Sequence, residues 1–450
     1  MSGILIKTFG CRANQAEAFA WAEEFQSKGV WLASEPGGAD LVVINSCTLT
    51  ARADRDVYKF IRKVRRENPG AKIVVTGCLA ERTPGELKAT DGVSLVIGNG
   101  EKDFLVARAW ELAGFGNAEA AAGGGENVTS ATGRATHSFR SRAILKIQDG
   151  CSMRCAYCII PSVRGPSRSV PVEKVMTGLE NLAGRGFREA VLAGIHLSSY
   201  GEDLRPRRSL AGLLREAVKV GGLGWIRLTS LDPRKMSEEL VSFLAGNPKI
   251  AQHFHLSLQH VSENVLRRMG RGGGAGPYGD LLEKLRRASP EAALGADIIV
   301  GLPGETDQDF DLLRDFLESS PLTYFHVFSF SPREGTAAAG WARLPDRIVT
   351  ERSEILRRIS ARKKFEFRSS LVGREIPGIV IHEIALPPGE AGNGKPAGAV
   401  PAGKKAEVLT HNYVKVIAGG QNIRPKEIVK VTITGVSLKL TEGFAEGRPA

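Results

Sequence analysis

The sequence predicts an α/β protein in three parts: an N-terminal open parallel α/β sheet, a central partial (β/α)6 barrel and a small C-terminal antiparallel β-barrel. Three observations carry this. Strand-like and helix-like segments alternate over residues 1–113, the pattern of a parallel sheet. Six longer β/α units follow over residues 138–370, two short of the complete barrel form. Residues 371–439 then change to short, β-branched strands separated by turns.

In the first part, Ile4–Phe9, Leu41–Asn45 and Lys72–Thr76 are apolar enough for buried parallel strands. Helical spacing runs from Gln15 to a stop at Gly29, and from Leu49 to Asn68, before Pro69. Residues 114–137, rich in Ala, Gly, Ser and Thr, read as a flexible linker. Barrel strands are expected at Ala143–Gln148, Ala190–Ile195, Trp225–Thr229, His253–Gln259, Ala296–Gly301 and Tyr324–Ser331, and a basic helix at Glu351–Arg368 leads out. The last part offers strands Ile376–Ile384, Ala406–Leu409, Tyr413–Ile417 and Ile428–Thr434, with Pro387–Gly403 as an inserted loop.

The chain carries 61 Lys and Arg against 49 Asp and Glu, a formal net charge of +12. That surplus favours a polyanionic partner, nucleic acid first among them, over a merely basic protein. The start lacks the apolar core and cleavage site of a signal peptide, and no run reaches the ~18 apolar residues of a membrane span. A cytoplasmic protein without a membrane partner is expected. Its six cysteines are then better read as metal ligands than as a disulfide framework.

Cys151-Ser-Met-Arg-Cys155-Ala-Tyr157-Cys158 is the strongest local signal. Three thiolates on one loop can hold three irons of a cubic iron–sulfur cluster and leave the fourth open to a chelating molecule. A zinc knuckle or chance spacing is the bland alternative. Cys11, Cys47 and Cys78 form a second set, 36 and 31 residues apart. Each follows an expected parallel strand, and the carboxyl ends of such strands share one sheet edge, where ligands bind. Three buried structural cysteines explain the spacing equally well.

The C-x3-C-x2-C motif with its aromatic resembles the signature of the radical S-adenosylmethionine superfamily. Phe9-Gly10-Cys11-Arg12-Ala13-Asn14-Gln15-Ala16-Glu17, Asn45-Ser46-Cys47-Thr48 and Val75-Thr76-Gly77-Cys78-Leu79-Ala80-Glu81 resemble the cysteine motifs of the methylthiotransferase family within it. Cys158-Ile-Ile-Pro161 with Arg164-Gly165-Pro166-Ser167-Arg168, and Asp297-Ile-Ile-Val-Gly301-Leu-Pro303-Gly304-Glu305-Thr306, are similar to that family too, and the last part resembles its RNA-binding TRAM domain. Arg12-Ala13-Asn14-Gln15, Ala53-Asp54-Arg55 and Phe328-Ser-Phe-Ser331-Pro332-Arg333-Glu334-Gly335-Thr336 look most like the branch acting on threonylcarbamoyladenosine next to the anticodon of tRNA. In one place the chain departs from the family: Gln259-His260-Val261-Ser262 stands where Gln-Ser-Gly-Ser is usual.

The resemblance implies a fold with a radical-SAM barrel and a TRAM-like C-terminal barrel. It implies two 4Fe-4S clusters, one on Cys11, Cys47 and Cys78 and one, catalytic, on Cys151, Cys155 and Cys158. S-adenosylmethionine would be bound with help from Tyr157, Gly194, His196 and Gln259. The implied partners are tRNA in its anticodon region, an electron donor such as flavodoxin or ferredoxin, and a sulfur donor. Another tRNA adenosine or a ribosomal-protein side chain is the alternative substrate. A non-catalytic iron–sulfur protein that binds RNA or senses redox state is the alternative of another class.

Other features stay open at this level. The Gly194-Ile195-His196 corner fits either a cofactor contact or a simple turn. His253, His255, Ser257 and Gln259 alternate with apolar residues and should face the barrel interior, more as hydrogen-bonded histidines than as metal ligands. Gly270–Gly276 lacks the Lys-Ser/Thr of a phosphate loop and reads as mobile. Arg52, Arg55, Lys59, Arg62, Lys63 and Arg66 share one helix face, which suits RNA phosphates or plain solvent. In the last part Tyr413, Lys415 and Lys405 offer stacking and charge to RNA.

Overall fold

A computed structural model of the chain describes residues 2–115, 141–384, 404–420 and 423–446. All but residues 114–115 of the expected linker 114–137, and the whole of the loop 387–403, lie outside the described residues.

The first part is a five-stranded parallel sheet of β1 (Gly3–Thr8), β2 (Trp31–Leu32), β3 (Leu41–Ser46), β4 (Lys72–Gly77) and β5 (Val93–Ile97). The order is β2-β1-β3-β4-β5. Its strands are apolar on both faces because helices cover both: Val42, Ile44, Ile73 and Val75 pack to one side, and Ile4, Leu41, Val43 and Val74 to the other. Helix α1 (Arg12–Ser27) leads from β1 to the edge strand β2, and helix α2 (Ala51–Glu67) connects β3 to β4. α2 begins where the Thr50 hydroxyl accepts from the Ala53 amide at 3.2 Å, a cap worth about 1 kcal/mol. It buries Val57, Ile61 and Val64. The short helix α3 (Cys78–Arg82) follows β4 directly. β2 and β5 are additions to the three strands expected.

The central part contains β6 (Ala143–Lys146), the β7–β8 hairpin (Gln148–Asp149, Arg168–Ser169), β9 (Glu189–Ala193), β10 (Trp225–Leu228), β11 (His253–Gln259), β12 (Ala293–Val300) and β13 (Tyr324–Ser329). Parallel ladders run β10-β9-β6 and β11-β12-β13. Parallel bridges Ile226–Ile250 and Leu231–Leu256 join the two, giving a six-strand arc open between β6 and β13. Phe254, Leu256 and Leu258 enter the core beneath the outer helices, as does Phe325. Alternation therefore leaves His253, His255, Ser257 and Gln259 of β11, and Tyr324, His326 and Phe328 of β13, on the inner face.

α1 closes part of the opening. Its Ala16 packs on Ile144, Val191 and Ala193 of the inner face. At the far end, the Ala51 amide donates to Ser331 Oγ at 3.2 Å, and Arg333 pairs with Asp54 at 2.6 Å. The N-terminal part thus spans the gap and turns the arc into a chamber.

The last part is a closed barrel, β14-β15-β16-β18-β17, of β14 (Glu375–Ile384), β15 (Lys404–Thr410), β16 (Lys415–Gly420), β17 (Ile428–Val436) and β18 (Thr441–Glu446). Its pairs are antiparallel except β16 with β18, which is parallel and closes the ring. β18 lies past the boundary expected at residue 439: Thr-Glu-Gly-Phe-Ala-Glu has little strand signature of its own. The barrel sits on the amino-terminal ends of the arc, where Ile379 and Leu409 pack with Trp225 and Ala251.

Candidate functional site

The first thiol set owes its convergence to sheet register. β1, β3 and β4 are neighbours, with Thr8 opposite Asn45 and Asn45 opposite Thr76. Cys11, Cys47 and Cys78 come two or three residues later, at one level of one edge. Gly10, at φ +99°, makes room: a Cβ there would lie 2.6 Å from Cys47 Cβ and 2.8 Å from its Sγ. Gly77, at φ +96°, turns the chain so that Cys78 opens α3; a Cβ on it would meet the Ser46 carbonyl at 2.3 Å. Both conformations favour glycine. Burial, joined by the charges of Cys11 and Cys78, pushes the Cys47 thiol up to about 12. Burial also raises Cys78, against the pull of Arg164.

A buried polar network braces this set. Asn14 donates to Asn45 Oδ1 at 3.0 Å and to the Ser46 carbonyl at 2.9 Å, while Cys11 donates to Asn14 Oδ1 at 3.1 Å. Glu17 accepts from Lys102 at 2.6 Å, Lys146 at 2.9 Å, Arg164 at 3.1 Å and Asn45 at 3.0 Å. Burial alone would raise the Glu17 carboxyl, but three cations hold it well below its ordinary range. Arg164 also reaches Asp149 at 2.7 Å and Asn14 at 2.8 Å, and donates to Cys78 Sγ at 3.3 Å.

The second thiol set lies on the loop after β7. The Cys151 amide bonds the Gly165 carbonyl at 3.0 Å, the Cys158 amide the Cys155 carbonyl at 3.0 Å, and the Ala156 amide the Met269 carbonyl at 2.9 Å. Burial, with the charges of Cys155 and Cys151 behind it, pushes Cys158 up to about 12. Cys151 is raised as well, burial leading and Cys155 adding to it. The two sets are neighbours: Cys78, Ile159, Ile160 and Val163 form one apolar cluster, and Cys151 and Cys158 pack against it.

Beside the second set lies a charged wall. Arg271 donates to the Ser257 carbonyl at 2.8 Å and points Nη1 at Cys155 Sγ, 3.7 Å away. Asp232 accepts from Arg234 Nε at 2.9 Å, stands 3.1 Å from His196 Nε2 and faces Arg271 at 3.5 Å. Burial works against the Asp232 charge, but bonds from Arg234 and His196 and the Arg271 charge hold it far below the usual carboxylate range.

Of the four residues expected at the cofactor, Gly194, His196 and Gln259 each lie at the carboxyl end of an arc strand. Gly194 passes Gln148 so closely that a Cβ would lie 2.9 Å from its Oε1, and the His196 amide bonds that same oxygen at 2.9 Å. Gln259 ends β11 with φ +69°, a left-handed backbone that is strained outside glycine. Tyr157, on the thiol loop itself, packs on the barrel core. The departing His260 faces elsewhere. It is buried in the wall, with Nδ1 accepting the Ser262 amide at 3.0 Å and Nε2 4.0 Å from Glu305.

Residues 3–98 match the model of an uncharacterized protein family, UPF0004, and residues 145–317 that of the Radical SAM superfamily. The threonylcarbamoyladenosine tRNA methylthiotransferase MtaB of Aquifex aeolicus is 36% identical over 386 residues, 85% of this chain and 94% of that protein. Its namesake in Bacillus subtilis is 32% identical, covering 98% of this chain and 96% of that one. The chain belongs to the radical SAM methylthiotransferase family, MtaB branch. The ribosomal protein uS12 methylthiotransferase RimO of Moorella thermoacetica is also similar, 35% identical over 79% of this chain and 83% of its own. In fold, the chain is similar to the radical S-adenosylmethionine methyltransferase TsrM of Kitasatospora setae, with a TM-score of 0.52 at 16% identity over 73% of each chain.

In this methylthiotransferase several site residues are silent in the sequence pattern. Arg271 sits in the glycine-rich stretch read as a mobile loop, yet it lies against Cys155. Asp232 belongs to no spaced cluster, and Glu17, though it closes the Cys11 motif, has no role assigned there by the sequence. The interior histidines are hydrogen-bonded as expected: His253 Nε2 is 2.7 Å and His255 Nδ1 3.1 Å from the Tyr324 hydroxyl. His255, Asp297 and His326 also bring ligand-type atoms within 4.8 Å of one another. Tyr413 differs from expectation. It faces the arc, stacked on His253 at 4.1 Å, and offers no open platform. On α2, Lys63, Arg65 and Arg66 pair with carboxylates, while Arg55, Lys59 and Arg62 have no ion pair among the described residues.

Proposed function

We propose that this enzyme converts N6-threonylcarbamoyladenosine next to the tRNA anticodon to its 2-methylthio derivative. The observation that carries the chemistry is the meeting of two separate three-thiol sets at one chamber, with an apolar cluster from Cys78 to Cys158 between them, and similarity to the MtaB proteins supports the substrate. Each set is half-buried or buried, is made wholly of sulfur donors, and contains thiols raised by burial and by one another's charge. Such a set is satisfied by a soft multivalent cation, and an iron–sulfur cluster fits it. Cys151, Cys155 and Cys158 would hold one 4Fe-4S cluster, and Cys11, Cys47 and Cys78 the other.

When bound, the cluster on Cys151, Cys155 and Cys158 would supply the electron that cleaves S-adenosylmethionine, and the one on Cys11, Cys47 and Cys78 would hold the donor's sulfur, methylated by another S-adenosylmethionine, for transfer. The chain's own residues do the rest. Gly194, the His196 amide, Gln259 and Tyr157 shape the pocket for S-adenosylmethionine at the carboxyl ends of the arc. Asp232, kept ionised by Arg234, Arg271 and His196, fixes Arg271 and the His196 ring at the wall beside the thiol loop. Arg271 places positive charge beside Cys155. α1 and the N-terminal sheet close the arc and keep water from the reacting groups. The net charge of +12 and the free cations of α2 favour a phosphate backbone. An electron donor such as flavodoxin or ferredoxin and a sulfur donor complete the cycle.

The test separates the two sets. Cys47→Ala should abolish methylthio transfer to tRNA and leave reductive cleavage of S-adenosylmethionine measurable; Cys155→Ala should abolish both. Cleavage that survived Cys155→Ala would overturn the assignment. Transfer to a ribosomal protein in place of tRNA would overturn the substrate.

A further inference from the structure

The amino-terminal ends of the arc form the floor of the chamber, and three parts of the chain meet there. Tyr413 of the C-terminal barrel lies between two barrel residues: its ring stacks on His253 at 4.1 Å and 13°, and the Arg227 guanidinium stands 5.1 Å from its centroid. Its hydroxyl accepts from Nη2 of Arg12, the first residue of α1, at 2.5 Å. The backbone of Tyr413 is left-handed, φ +69°, a conformation that costs a bulky residue about 1–2 kcal/mol. The turn that holds it is built by the Tyr413 amide on the Thr410 carbonyl at 2.9 Å and by Thr410 Oγ1 on Asn412 at 2.6 Å. The fold thus spends strain to bring this hydroxyl to Arg12.

Charge at the floor is unbalanced. Three guanidinium groups, Arg12, Arg142 and Arg227, gather around it. Glu189 takes two of them, Arg227 at 2.7 Å and Arg142 at 3.3 Å. Arg12 has the Tyr413 hydroxyl and, at 2.8 Å, the side-chain amide oxygen Oε1 of Gln15. Among the described residues it has no carboxylate partner. A guanidinium presents five donors in a planar fork suited to a carboxylate, and a phenol oxygen satisfies it poorly. Around it stand Tyr324 and His326, whose ring centroids are 5.4 Å apart on the inner face of β13. Arg12 also follows Cys11 directly in the chain, so its backbone adjoins the first thiol set.

We propose that Arg12, with Tyr413 as its placeholder, is a carboxylate-binding subsite that reads the threonylcarbamoyl group of the substrate nucleoside. This rests on the substrate reading given above. The threonine moiety is the part of that nucleoside that carries a carboxylate; unmodified adenosine offers no anion there. The substrate carboxylate replaces the Tyr413 hydroxyl on Arg12 in a paired, charge-assisted contact. The hydroxyl, released, donates to the same carboxylate. A substrate without the group leaves the guanidinium on its weaker partner, which is how a polar site rejects an analogue that lacks the matching polar group.

The experiment uses the cluster-loaded enzyme and three anticodon stem-loop RNAs that are identical except at the target. One carries threonylcarbamoyladenosine, one its carboxamide, which keeps size and loses charge, and one plain adenosine. The ratio of Kd values is the readout, so a general loss of binding cancels. The wild-type enzyme should bind the carboxylate RNA about tenfold or more tighter than the carboxamide. Arg12→Gln should bring that ratio near one, and Arg12→Lys, which keeps the charge and loses the fork, should fall between. Equal binding of carboxylate and carboxamide by the wild type would overturn the subsite without recourse to any variant. So would Arg12→Gln with the full preference retained. Either result can stand alongside methylthio transfer to the first RNA, which leaves the substrate reading intact. Transfer to none of the three would instead overturn that reading.

Discussion

Arg164 Nε lies 3.3 Å from Cys78 Sγ, so a side chain from the loop that carries the second thiol set supports the first. The same guanidinium binds Glu17 and Asn14 of α1 and Asp149 of β7. Two sets encoded 73 or more residues apart are thereby held in one rigid arrangement. Transfer of a group from one centre to a radical made at another requires that arrangement to be fixed before substrate arrives.

Arg164→Met should break it. Glu17 would keep Lys102 and Lys146, but Cys78 and Asn14 would lose their shared donor. Removing one partner of a buried ionic network costs about 3–5 kcal/mol. A lower urea midpoint is expected, together with selective loss of iron from the N-terminal set. Unchanged midpoint and iron content would mean that the network is ornamental.

The iron count itself is a sharp test of two independent centres. Anaerobically reconstituted protein should hold about eight irons, four per cubic cluster. Cys47→Ala and Cys151→Ala should each retain about four. Full iron in Cys47→Ala would return Cys11, Cys47 and Cys78 to the role of structural cysteines.

The fold was legible because its periodicities are clean. Val42-Val43-Ile44 and Ile73-Val74-Val75 cannot be exposed strands, and β11 alternates from His253 to Gln259 without a break. The six cysteines were legible from spacing and from the strands before them. The charged residues around them were not. Glu17 and Arg164 are buried where the N-terminal part docks on the barrel, and Asp232 and Arg271 are brought together by separate barrel loops, so spacing alone shows neither pair's partners. The same holds for Tyr413, whose exposed strand-end position in sequence gives no hint of a partner at Arg12. β2 and β18 were missed because a two-residue strand and a Gly-interrupted, acidic one carry almost no local pattern.

His260, where the chain departs from its family, makes stability depend on pH. Burial pushes its imidazole down to about 4, with Asp309 opposing and Arg352 reinforcing. In the unfolded chain it titrates near ~6.5. Between those values the unfolded state binds a proton that the native state refuses, so stability falls as pH drops through that window. The full loss from this residue is roughly 3 kcal/mol. Urea midpoints measured from pH 7.5 to 5 should decline, and His260→Leu should flatten the decline whatever it does to the midpoint at pH 7.5. An equally steep decline in the variant would assign the pH dependence to other groups, His411 first among them.

The last prediction concerns how RNA is held outside the chamber. Arg55, Lys59 and Arg62 project from α2, one turn apart, and line a surface concavity with Tyr58 and Asp56. α2 starts just after Cys47, and Asp54 in its first turn pairs with Arg333 beyond β13. α2 thus starts at the rim where the N-terminal part meets the barrel, and the three cations follow along it from there. Contacts of this kind act through counterion release, so each lost phosphate contact lowers the slope of log K against log salt by just under one. Binding of an anticodon stem-loop should weaken steeply with salt, and Arg55→Gln, Lys59→Gln and Arg62→Gln together should flatten that slope by up to about two or three. The preference between carboxylate and carboxamide RNAs should stay as it is, because α2 touches the backbone and Arg12 the base. An unchanged slope would move the RNA path to another face, and a lost preference would tie the two contacts into one.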